Sequence, residues 1–268
     1  MLSTEMIQGL FFIFIRVVLE VCIIWKSIQL IRSGASSMPA MFFTFAIISF
    51  MMSDLYWITY VAIRSDMQMP FAVNEIGEWA LFLLLASALN AAFRKRQADA
   101  LREMILAALF ACASTALWIG WSGEWLQDII TGIVLGYLFC MTVYSLRASD
   151  ALSPAQWKLM GTGAGGLIVM QTLTFVLPSP AKQTLDTCCY VLMYAGHAAF
   201  YAKALQTWRK GADARQLCSL CFAGFAWGIS SMYMSAFPMY YISEMAATGF
   251  ILPMGLSVRK MVEEDDLC

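Results

Sequence analysis

Ionisable side chains are scarce in this chain, which makes their spacing informative. Between Ser53 and Trp79, four carboxylates (Asp54, Asp66, Glu75 and Glu78) stand among four large aromatics with polar tips (Tyr56, Trp57, Tyr60 and Trp79). A carboxylate beside aromatic faces can hold a cation by charge pairing and by attraction to the ring. Asp186, Tyr190 and His197 offer the same chemistry further along the chain and complete the candidate ligand-binding set. Two carboxylates with separated proton affinities could instead act as acid and base in hydrolysis of a lipid-like substrate. No nucleophile motif or metal cluster accompanies them, and acids alone are a weak reaction signature.

A second pair is set apart from these. Arg16 and Glu20 lie four residues apart in an apolar run, a spacing that puts both on one helical face. The expectation is an intramembrane ion pair, because a central unpaired charge costs about 2.5–3.5 kcal/mol on insertion scales. It either locks the first helix in place or serves function.

Other motifs are weaker. GTGAGG (Gly161 to Gly166) matches GxGxxG, but no strand precedes it, so the dinucleotide context fails and helix packing is expected. Gly132 with Gly136, Gly161 with Gly165, and Gly224 with Gly228 are small pairs at four-residue spacing that would let helices approach. Cys218 and Cys221 form one CxxC with no histidine close in sequence, short of a four-ligand zinc site. They read as core filling. The other cysteines fall mostly in apolar segments, so no disulfide framework is expected, nor any cofactor or metal. His197 is the only histidine. It cannot build a multi-histidine centre but could relay a proton.

These residues must be positioned by elements of a particular kind. The chain is 60% hydrophobic and 13% charged over 268 residues, against about 45–50% and about 25% in soluble domains. That composition reads as a membrane protein, and a net charge of -1 gives no nucleic-acid footprint. A spanning helix needs about 20 apolar residues. Nine such segments occur, near 7–31, 39–63, 74–93, 104–123, 126–146, 158–177, 185–205, 217–236 and 241–259. The start MLSTEM lacks the basic region of a secretory signal, so the first segment is read as a retained helix.

The predicted fold is therefore all-α, a polytopic transmembrane helix bundle of about nine spans forming a single domain over 1–268. Alternating the connections places fourteen of the 17 lysines and arginines on one face, leaving Arg64 and Lys182 on the other and Arg16 within a span. The positive-inside rule then puts the N-terminus out and the C-terminus in. The last helix covers 238–260, and 261–268 forms a short acidic cytoplasmic tail. Short strings also recur at offsets of 111 to 115, such as LIRSGASSMPA against SLRASDALSPA. They predict parallel repeat units over 7–124 and 125–237, a 4+4 arrangement plus a ninth helix.

This topology gathers nine acids, Glu5, Asp54, Asp66, Glu75, Glu78, Glu124, Asp128, Asp186 and Glu244, in the outer half. Interfacial aromatic belts and acids at helix starts account for much of the pattern. Asp54 is different: it lies too deep for capping and at the wrong end of its helix for the dipole, so it wants an interior partner. The expectation is an outward-facing acidic and aromatic cavity, formed mainly by helices 2, 3 and 7, in a carrier of a small cationic or amphiphilic solute. A membrane-embedded sensor signalling through a partner chain is the alternative, and an intramembrane acid/base hydrolase the second. The expected surroundings are a lipid bilayer, as a multi-pass protein of a bacterial inner membrane, with a membrane partner or a second copy compatible with both leading readings.

Overall fold

The structure is a computed structural model and describes residues 4–32, 38–63, 73–211, 213–236 and 239–265. Arg64, Asp66 and the end of the acidic tail lie outside these residues. Within them every regular element is a helix: α1 (Thr4–Arg32), α2 (Met38–Ile63), α3 (Val73–Phe93), α4 (Leu101–Ser122), α5 (Trp125–Ala148), α6 (Pro154–Thr174), α7 (Ala181–Arg209), α8 (Ala214–Tyr233), α9 (Met239–Gly249) and α10 (Ile251–Asp265).

Each of the nine apolar segments overlaps a helix, and the ninth is broken in two at Phe250. The break has a local cause. Pro253 lacks the N–H that would bond to the Gly249 carbonyl, and its ring crowds that oxygen, so the helix restarts with proline in its first turn. Other boundaries are equally local. Ser153 and Gln156 form a capping box around Pro154 at the start of α6, satisfying N–H groups that have no intrahelical partner. Asp213 caps α8 by accepting from the Arg215 backbone N–H at 2.9 Å, and Gly123 ends α4 in the left-handed conformation that glycine adopts without strain.

Among the described residues four helices, α2 to α5, are long and apolar enough to cross a membrane. Large side chains cover the outside of the bundle: Phe14 is 64% exposed, Ile133 68%, Leu159 70% and Val191 64%. Spread over four different helices, these exposed groups make an apolar outer surface that suits lipid better than water. The interior is organised around α8, buried along almost its whole length and packed by α5, α7, α9 and α10. Its small residues make this central position attainable. A side chain at Gly228 would place its Cβ 2.6 Å from the Cβ and 2.8 Å from the Cα of Ala247 in α9, so α8 and α9 meet there nearly backbone to backbone.

The glycine pairs do not all behave alike. Gly132 and Gly136 of α5 pack on Thr115 and Ala111 of α4, and Gly224 packs on Phe250, whereas Gly161 and Gly165 have nothing within 4 Å of an added Cβ. That pair therefore does not pack a helix within the described residues, whereas Gly163 of the same GTGAGG string faces Leu192 of α7, with 3.9 Å to an added Cβ. Gly228→Ala should cost about 1–3 kcal/mol by overpacking, while Gly161→Ala should be neutral or stabilising by up to about 1 kcal/mol through helix propensity. Thermal midpoints of the detergent-solubilised variants check this.

At one end of the bundle, Arg96 after α3 lies 3.7 Å from Asp213 before α8, and Ser149 and Ser219 hydroxyls meet at 2.8 Å. Three of the connections assigned to the basic face, those after α3, after α5 and before α8, thus share an end.

Candidate functional site

The buried charged side chains converge where α1, α2, α3, α8 and α9 meet. Arg16 in α1 is 6% exposed, Asp54 in α2 is 2% exposed, and Glu20, one turn further along α1, is fully buried. Arg16 donates from Nε to Asp54 Oδ2 at 2.5 Å and from Nη2 to Asp54 Oδ1, a two-pronged grip in which the guanidinium fork matches the carboxylate. Its Nη1 donates to Glu244 Oε1 in α9. The Phe50 ring lies under the guanidinium carbon at 4.4 Å, adding a cation-π contact.

This corrects the expected ion pair. Arg16 spends its hydrogen bonds on Asp54 and Glu244, and both oxygens of Glu20 lack a hydrogen-bond partner among the described residues. Two physical reasons favour this outcome. Arginine followed by glutamate is the poorer order for an i,i+4 pair, and a carboxylate from a neighbouring helix can lie in the guanidinium plane. Glu20 remains close enough to Arg16 to feel its charge.

Glu78 of α3 completes the cluster. Its Oε2 accepts from the Tyr233 hydroxyl of α8 at 2.9 Å, and its Oε1 from Asn74 Nδ2 at 3.0 Å. Ser53 holds Asn74 in turn, donating to its carbonyl at 3.0 Å. Gly77 permits this geometry: an added Cβ would stand 2.9 Å from the Ser49 carbonyl oxygen and 2.9 Å from Ser53 Cβ. Without a side chain there, α3 lies directly on α2. Arg16, Glu78, Tyr240 and Glu244 line one small cavity of about 20 Å³ with Phe50 and Phe225. A space of that size admits about one water.

The remaining predicted ligands are dispersed. Glu75 accepts from Gln127 Nε2 of α5, and Ser122 at the end of α4 donates to Asp128 of α5 at 2.5 Å. Trp79 donates to the Thr131 hydroxyl at 2.8 Å, a clasp between α3 and α5. Tyr56 and Tyr60 stack with centroids 6.3 Å apart, and Trp57 lies against Gly9 of α1. Asp186, Tyr190 and His197 sit on α7, which packs on α6 and α8. Tyr190 accepts from the Ala236 backbone N–H at 3.2 Å, and His197 is buried beside Tyr194. None of the three lines the central cavity. The expected lining by helices 2, 3 and 7 is thus corrected to α1, α2, α3, α8 and α9, because α7 lies behind α8.

Sequence reasoning placed Glu244 among the outer acids and not in the site, and it did not single out Tyr240, which lines the same cavity. A signal existed: Tyr240 and Glu244 lie four apart on one face of the predicted last helix, 238–260, and Arg16 needed an acid from somewhere in the interior. Comparisons of the chain with protein-family models, with curated proteins and with solved structures found no match.

Proposed function

We propose that this chain is a multi-pass membrane carrier for a small cationic or amphiphilic solute. The observation that carries the reading is the charge balance of the central cluster. Asp54 and Glu244 pair with the Arg16 guanidinium, and Glu20 and Glu78 stand in the same cluster without contacting a cation, so among the described residues four carboxylates accompany one cation. Fully ionised, they would leave three negative charges inside an apolar bundle. An interior tolerates such an excess only with protons or cations bound, and exchange of one for the other is what a proton-coupled carrier requires. The small cavity corresponds to a closed state, and loading needs the outer ends of α1, α2 and α9 to part.

The reading takes the remaining long helices as further spans, nine in all, with the N-terminus outside, the C-terminus inside and the protein in a cell membrane of bacterial inner-membrane type. Parallel duplication of 7–124 in 125–237 belongs to the same proposal. In its support α2 packs on α3 as α6 packs on α7, whereas the packing of α1 on α2 has no comparable counterpart between α5 and α6 and departs from the repeat.

Two measurements test the proposal. Cysteine tags in 178–183 should label from outside, as should tags in 64–72, whereas tags at 96–102 and 209–215 should not; opposite labelling overturns the orientation. Proteoliposomes carrying an imposed pH gradient should accumulate tetraethylammonium or ethidium. Binding without accumulation would replace the carrier by the sensor.

A further inference from the structure

A second cavity lies away from the acidic cluster, where α1, α2 and α10 meet. It encloses about 270 Å³, approaching the roughly 300 Å³ at which small-ligand pockets begin. Its walls are apolar: Ile23, Leu30, Ala40, Leu252, Leu256 and Val258 line it. Gly255 lets the floor form, because an added Cβ would stand 3.3 Å from Ile23 and 3.4 Å from Phe43.

The polar rim has one sign in excess. Lys26 and Arg259 both line the opening, with Ser27 between the walls. Arg259 shares its charge with Glu263 at 2.7 Å, whereas Lys26 pairs with no carboxylate among the described residues. An apolar slot capped by one uncompensated positive charge and a hydroxyl matches a molecule with a hydrocarbon tail and a single negative head.

We infer that this groove between α1, α2 and α10 is a binding site for an anionic phospholipid, one acyl chain lying along Ile23, Leu252 and Leu256 and the phosphate on Lys26 and Arg259. The inference rests on the membrane placement above and is independent of what is carried. In the proposed orientation the rim lies at the cytoplasmic headgroup level, where basic pockets between helices meet anionic lipid. Trp25, 61% exposed, stands beside it as an aromatic anchor of the kind found at that depth.

The experiment uses the full chain in detergent, titrated with dioleoyl phosphatidylglycerol, dioleoyl phosphatidylcholine or inorganic phosphate. Phosphatidylglycerol should raise the thermal midpoint by about 5 °C at a hundredfold excess over its dissociation constant, and native mass spectrometry should retain it. Lys26→Gln should weaken this effect about fivefold, and Leu256→Trp, a change at a half-exposed position that fills the slot, should remove it. Equal stabilisation by phosphatidylcholine would overturn the inference, as would an equal effect of phosphate alone. So would an unchanged response of Leu256→Trp, or a dimer that forms through this face and excludes lipid. Uptake of organic cations is a separate readout, so loss of the carrier reading leaves this result standing and the reverse.

Discussion

Replacing Arg16 by methionine is expected to cost about 3–5 kcal/mol of stability, because it strands buried carboxylates without their cation. The identity of the rescuing second change is the sharper expectation. If Arg16 and Glu20 were partners, Glu20→Gln would restore folding to Arg16→Met. The structure instead assigns the two-pronged bond to Asp54, so Asp54→Asn should restore the larger share and Glu20→Gln a smaller one. A pair of double-mutant cycles, read by denaturation in detergent, measures the two coupling energies directly. Arg16→Lys should recover little, since an ammonium cannot present a planar fork to Asp54 while also reaching Glu244. Equal rescue by both changes would mean that the cluster responds to total charge and not to this geometry.

Cation uptake should be lost in Glu78→Gln and nearly unchanged in Asp186→Asn. Asp54 is already committed to Arg16, so its neutralisation would act first through the arginine. Glu78 pairs with no cation among the described residues. Its two oxygens are held by Tyr233 and Asn74, which fix the carboxylate at the cavity wall without neutralising it. Asp186 lies on α7, outside that wall. Acidifying the side from which the cation loads should weaken uptake in the parent protein, because a protonated acid no longer pairs with a cation, and Glu78→Gln should remove most of that dependence. A protein with Glu78→Gln that remains folded and still accumulates the cation would end the assignment of Glu78 as the ligand.

The helices could be read in advance because the rules that make them are local. Twenty apolar residues, a proline in a first turn and a Ser-x-x-Gln cap each act within a few residues of chain, so α1 to α8 and the last segment stand near where their sequence implies. The break at Phe250 was also available locally, in Pro253. Arg16, Glu20 and Asp54 stood out for a similarly simple reason: a charge in an apolar segment is costly wherever the segment goes, so it must find a partner. What no local rule contains is which partner. Asp54 is 38 residues from Arg16 and Glu244 is 228; only the packing of α1 against α2 and α9 brings them within hydrogen-bond reach. The same holds for the glycine pairs, identical as sequence motifs, of which Gly228 meets a neighbouring backbone and Gly161 meets nothing. Composition and spacing dictate that these residues form apolar helices and that their few charges must be matched. Tertiary structure alone decided the matches, because directed hydrogen bonds and close packing depend on where neighbouring helices lie.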